Sequence, residues 1–263
     1  MKNKLYTVLF LAAALILCAC RKESSVMETA DVETTLPVVT ETVPVTTQAT
    51  AEPHSDLYLS TCSVQQIQDY FEEVVLDVEY SDGTGNVKLV QKWCAPIAYR
   101  IFGTPTGEDL TVLETLFAQL NSIPGFPGIY AAAEEETEAL RISFLEPDLF
   151  RDSYSSVIQG EEATGATQFW YYIATNEIHS ARIGYRTDID QSVRNSVLIE
   201  EIVNTLGISD TTLREDSITY QYSDFNTALS DVDWILLNLL YHPEMQCGMD
   251  AEASGAVIQR LYY

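Results

Sequence analysis

The sequence predicts an α+β domain, because its elements run helix, strand, helix, strands, helix, loop, helix, and its helical segments carry apolar residues at i, i+3 and i+4 while its β-rich runs cluster between them. The first helix starts at Ser63. In SVQQIQDYFEEVVLDVEY, Val64, Ile67, Tyr70, Phe71, Val74 and Val75 fall on one face, with Ser63 as the N-cap and Gln66 in the capping-box position. Ser81 to Asn86 is turn chemistry, and the β-branched and aromatic run from Val87 to Phe102 reads as one strand with a bulge or edge kink at Pro96. Gly103 to Gly107 lacks the lysine of a phosphate loop and reads as a turn and cap. Glu108 to Ile123 is a second helix, with Leu110, Leu113, Leu116, Phe117 and Leu120 on one side, stopped by Pro124-Gly125-Phe126-Pro127-Gly128.

Leu140 to Leu145 is a short strand. Thr167 to Ala174 and Ile178 to Tyr185, separated by Thr175-Asn176-Glu177, suggest a hairpin or meander. A helix then opens at Asp190 or Gln191 and runs to Leu206, where Leu198, Ile202 and Leu206 form a stripe that Ile199 and Val203 broaden; Gly207 ends it. The last helix spans about Ser230 to Tyr241, with Ser230 as cap and Val232, Ile235, Leu236, Leu239 and Leu240 inward.

Upstream of this domain the chain has a different character. Residues 1–19 combine an N-terminal Met1-Lys2-Asn3-Lys4 with the apolar run Leu5 to Leu17, the n-region and h-region of a secretory signal. Leu17-Cys18-Ala19-Cys20 resembles the lipobox of bacterial lipoproteins, which implies acylation of Cys20, although Cys18 is unusual at its position. Residues 20–55 hold this lipidated cysteine and a tether. From residue 21 to 55 there are eight Thr, three Pro and neither Gly nor an aromatic residue, too little apolar surface to offset ordering. As a coil those 35 residues span on the order of 30 Å, and stretched toward polyproline II about 110 Å. The partner this implies is the membrane, through Cys20, from an extracytoplasmic position.

Residues 56–263 form the domain. The leader carries two lysines and the tether two basic and six acidic residues, so of the formal charge of −25 the domain holds −23. Such a surface excludes nucleic acid as a partner and leaves basic or neutral ligands and divalent cations. Cys62, Cys94 and Cys247 allow at most one intramolecular bridge, whose pairing the sequence leaves open. None has the C-x-x-C spacing of a metal knuckle or redox pair.

The chemistry-bearing stretch is Glu200 to Asp210, EEIVNTLGISD. It has the shape of the metzincin motif H-E-x-x-H-x-x-G-x-x-H: Glu201 matches the general base and Gly207 the turning glycine, while Glu200, Asn204 and Asp210 stand where the three zinc-binding histidines would be. Ser217-Ile218-Thr219-Tyr220 resembles a matrixin Met-turn with Thr219 in place of Met, and Leu229-Ser230-Asp231-Val232-Asp233 followed by Leu239-Leu240-Tyr241 is similar to the closing helix of that fold. The resemblance implies a metzincin-like mixed sheet with a motif-bearing helix and a C-terminal helix. Through K-W-x-x-P-I at Lys92 to Ile97 and L-Y-H-P-E-M-x-x-G-M ending at Met249, the chain also resembles an uncharacterised bacterial lipoprotein family built on a domain of unknown function.

Catalytic zinc takes His or Cys with at most one or two carboxylates, whereas Glu200, Asn204 and Asp210 offer only hard oxygens. That set weighs against zinc, and no resident cofactor is expected. An oxygen-bound calcium, magnesium or manganese is the chemically allowed alternative, with help from Glu215, Asp216 or water. On a bland reading Glu200 and Asn204 lie on a solvated helix face and Asp210 caps a turn. His179 and His242 have no nucleophile motif beside them, and Trp93, Trp170, Tyr171, Tyr172 and Trp234 read as core and strand-face residues that could otherwise line a sugar or peptide groove. The leading expectation is a non-catalytic, metzincin-like domain displayed outside the cell that binds a peptide or cell-wall component. The alternatives are a divergent hydrolase with Glu201 as general base beside an oxygen-ligated cation, and a structural envelope lipoprotein.

Overall fold

Helix α1 (Val64–Leu76) opens the computed structural model, which describes residues 62–76, 88–158, 163–222 and 225–262. The signal segment, Cys20 and the tether lie outside the described residues, as does the turn at Ser81 to Asn86. Ser63 caps α1 as its sequence suggests: its Oγ accepts from Gln66 N–H at 3.2 Å, and Gln66 Oε1 accepts from Ser63 N–H at 2.9 Å.

The run from Val87 to Phe102 is two strands, not one kinked strand. Strand β1 (Lys92–Trp93) and β2 (Ile97–Gly103) take different places in the sheet. Pro96 has no N–H to give a ladder, and Trp93, buried with its indole donating to Thr205 O at 2.8 Å, fixes β1 before the chain crosses to β2. Helix α2 (Gly107–Leu120) follows, capped by Thr106. Then come β3 (Ile129–Ala131), β4 (Leu140–Leu145), α3 (Pro147–Tyr154), and the hairpin β5 (Gly165–Tyr171) and β6 (Glu177–Arg186), turned at Asn176 with φ 59°. Helices α4 (Gln191–Thr205), α5 (Asp231–Leu240) and α6 (Ala251–Tyr262) complete the described residues.

The sheet is mixed and mostly parallel, as an α+β fold allows. Its order is β1-β6-β4-β2-β3 with parallel pairing throughout, and β5 joins β6 antiparallel. Strand β5 is thus an edge strand. Side-chain alternation sends Leu140, Ile142 and Phe144 of β4 and Ile183 and Tyr185 of β6 into the main core, where they share apolar surface with Phe71, Leu113, Leu198, Ile202, Leu206, Leu236 and Leu240. Leu145, Phe150, Tyr154 and Ala166 form a second, smaller core. Helix α2 is locked to α4 by a buried ion pair, Arg194 Nε donating to Asp109 Oδ1 at 2.8 Å. Among the described residues no helix is long and apolar enough to cross a membrane.

Candidate functional site

Helix α4 turns its Leu198, Ile202 and Leu206 stripe to the core, which leaves Glu200 and Asn204, one turn apart, on a different face. Both are half-buried. Beyond the helix, Gly207 adopts φ +100°, and a Cβ built there would stand 2.0 Å from Gln91 O. Only glycine tolerates both the left-handed backbone and that approach. The turn sends Ser209 N–H to Val74 O at 2.7 Å and returns Asp210 to Asn204, whose Nδ2 donates to Asp210 Oδ1 at 3.3 Å.

Asn204 and Asp210 therefore meet, and Glu200 stands one turn back on the helix. The solvated-face expectation is corrected for Asn204: it bonds to Asp210, and its Oδ1 is buried with no hydrogen-bond partner among the described residues. Burial raises the Asp210 carboxyl above its ordinary range, and the bond from Asn204 opposes the rise.

Glu201 is buried on the β5 side of α4. A Cβ on Gly165, the first residue of β5, would lie 2.7 Å from Glu201 Oε1, so glycine there makes room for the carboxylate. The backbone carbonyl of Glu201 accepts from Thr167 Oγ1 at 3.0 Å, which fastens α4 to β5. After burial, the Glu201 charge is one of the causes that push the Tyr185 phenol up; Tyr185 itself donates to Leu198 O at 3.0 Å.

The loop after Gly207 is held from both sides. Glu73 of α1 accepts from Thr211 Oγ1 at 2.6 Å, Thr212 N–H at 2.7 Å and Thr212 Oγ1 at 2.9 Å. Thr211 N–H donates to Thr219 O at 2.9 Å, and Gln221 N–H to Thr211 O at 3.1 Å, so the turn at Ser217 to Tyr220 lies directly against the loop. Asp233 of α5 supports that turn, accepting from Ser217 Oγ at 2.6 Å and Ile218 N–H at 3.0 Å while completing the capping box with Ser230. Tyr70 OH adds a bond to Ser217 Oγ at 2.9 Å. Glu73 escaped the sequence reading: a glutamate beside an apolar stripe looks solvated, and nothing local marks a partner almost 140 residues away.

The donors do not fit zinc. Glu200, Asn204 and Asp210 offer carboxylate and amide oxygens where a zinc centre needs imidazole or thiolate. Among the described residues no three His, Cys, Asp or Glu side chains gather in a way that could hold a metal ion. His179 stacks on Tyr172 at 4.3 Å between ring centroids, and His242 Nδ1 accepts from Glu244 N–H at 3.2 Å. The aromatics divide: Trp93 and Trp234 are core, whereas Trp170, Tyr171 and Tyr172 are exposed at the far end of β5, with Tyr172 56% exposed.

No curated protein matches the chain. Both the K-W-x-x-P-I segment and the segment ending at Met249 lie within residues 64–260, which match the family model described as "Protein of unknown function (DUF2927)", and the chain belongs to that family.

Proposed function

We propose that this is an exported lipoprotein, held at the membrane by acyl chains on Cys20, whose metzincin-like domain binds an extended peptide without cleaving it. The observation that carries the reading is the Asn204–Asp210 hydrogen bond across the Gly207 turn. Helix, glycine turn and returning loop bring Asn204 and Asp210 together, and the side chains at the three motif positions are the wrong donors for a zinc ion that would activate water. The mixed sheet, the turn at Ser217 to Tyr220 against the returning loop, and its support by Asp233 also agree with the metzincin-like reading.

Strand β5 supplies the binding surface. It is an antiparallel edge strand that starts over Glu201 and ends in exposed Trp170 and Tyr171, with exposed Tyr172 just beyond it. An edge strand can take up an extended peptide through main-chain hydrogen bonds, and exposed aromatics add contact area at low entropic cost. The domain's −23 charge favours basic peptides.

One observation favours the alternative. A buried carbonyl oxygen without a donor is costly, and a hard cation held by Asn204 and Asp210 would satisfy Asn204 Oδ1. Beside such a cation Glu201 is the only candidate for a general base offered by the motif.

The test is to titrate the detergent-solubilised protein with short basic peptides, following tryptophan fluorescence and recovering the peptides for mass spectrometry. Saturable binding that is lost in Trp170→Ala, with peptides intact, is the expected result. Cleavage that disappears in Glu201→Gln would replace this reading with the hydrolase. Binding of muropeptides alone would move the ligand to the cell wall, and binding of neither would leave a structural lipoprotein.

A further inference from the structure

Two of the domain's three cysteines stand together: Cys94 Sγ and Cys247 Sγ are 3.3 Å apart, although 153 positions separate them in sequence. The backbones that carry them are already paired. Val90 N–H donates to Met249 O at 2.9 Å, Gly248 N–H returns a bond to Val90 O at 2.9 Å, and the buried Lys92 ammonium donates to Leu240 O at 2.8 Å and also to Met245 O. Cys62 is elsewhere, buried and accepting from Arg214. We propose that Cys94 and Cys247 are the domain's disulfide-forming pair, joined in an oxidising compartment, with Cys62 left as a buried thiol.

The site is open to an oxidant. Cys94 is exposed and Cys247 half-buried, and both line a cavity of about 370 Å³ with Lys92, Thr175, Glu177 and Gln246. The co-reactant is a disulfide, either glutathione disulfide or an oxidised protein dithiol. One thiolate attacks a donor sulfur, the donor S–S bond breaks and a mixed disulfide forms; the second thiolate then displaces the donor sulfur and closes the Cys94–Cys247 bond. The two cysteines lose two protons and two electrons, and the donor leaves as two thiols.

Burial, followed by the contact with Cys247, pushes the Cys94 thiol up to about 12. The bond would act where the candidate site is anchored. Gln91 O is the atom packed against Gly207, and Trp93 binds the last turn of α4, so the bridge ties the segment after α5 to the Gln91–Cys94 stretch against which the turn is built.

The exported reading supplies the oxidising compartment, but the test does not depend on it. The full chain, folded and reduced, is incubated with glutathione disulfide, alkylated and mapped by mass spectrometry. Linked peptides holding Cys94 and Cys247 are expected, together with a rise in melting temperature of roughly 5–15 °C. Cys94→Ser and Cys247→Ser should abolish that rise. The mapping of the native chain decides even if a variant fails to fold. Cys94 and Cys247 both still alkylated, both carrying glutathione, either one linked to Cys62, or a link between two chains would overturn the proposal.

Discussion

Gly207 joins two requirements in one position, a φ of +100° and a backbone oxygen 2.0 Å from any added Cβ. Gly207→Ala must move Gln91 or unwind the turn, and should cost about 2–4 kcal/mol. A denaturation midpoint equal to that of the native chain would contradict this. Asp233 carries a different prediction. Its carboxyl is raised above the 3.8 of a free aspartate because burial outweighs the bonds from Ser217, Ser230 and Ile218. The folded state therefore holds this proton more tightly than the unfolded chain does. Its stabilising contribution is full below the unfolded pKa and is lost as pH rises through the folded value, so melting temperature should rise as pH is lowered through the interval above 3.8 in which the folded carboxyl takes up its proton. Relief of the −23 charge acts in the same direction, and Asp233→Asn should flatten the profile without abolishing it. A native profile that falls over that interval, or an identical one in the variant, would contradict the assignment. The glycine and the Ser230 cap were legible because both act on their own neighbours in sequence. Gln91 and Glu73 were not, since their roles exist only once α1 and β1 reach the end of α4.

The helices with long apolar stripes could be read directly. Leu206 and Leu240, each 0% exposed, lie where the stripes of α4 and α5 place them. Truncating either to alanine should cost roughly 2–5 kcal/mol by chemical denaturation, and midpoints within error of the native chain would put them outside the core. Three elements escaped notice for physical reasons. Helix α3 is 8 residues long and buries only Phe150 and Tyr154, too few for a period to show. Strand β3 has 3 residues and is defined by its pairing with β2. Helix α6 is rich in Ala, Ser and Gly, and its Gly255 carbonyl accepts from Gln68 of α1 at 3.0 Å, so close helix contact replaces bulky apolar residues. Between β1 and β2 the signal was present in Pro96, but it marked a change of strand where a kink was expected.

Taken as a molecule, the proposed protein is a lipid anchor, a long tether and an acidic domain. Each part makes its own demand on the chain. Cys20→Ala removes the acceptor of the acyl chains, so fractionation should find the protein released from membranes, whereas retention under high salt would contradict the lipobox reading. The fold class was legible from the order of elements alone. The strand order was not, because the parallel pairings of β2 with β3 and β4 depend on contacts that no local pattern encodes.

In the proposed reading, the helix, the Gly207 turn and the returning loop are the frame of a metzincin-like site whose three donor positions, Glu200, Asn204 and Asp210, carry oxygens unsuited to zinc. Restoring the donors tests it directly: Glu200→His, Asn204→His and Asp210→His are combined in one chain, folding is confirmed by circular dichroism, and zinc uptake is measured by calorimetry. Three converging imidazoles with an open fourth position should bind zinc at a ratio near one per chain, while the native chain, with oxygen donors at those positions, binds it weakly or not at all. A folded triple variant that takes up no zinc would show that the three positions do not converge, and the metzincin-like reading would fall with them.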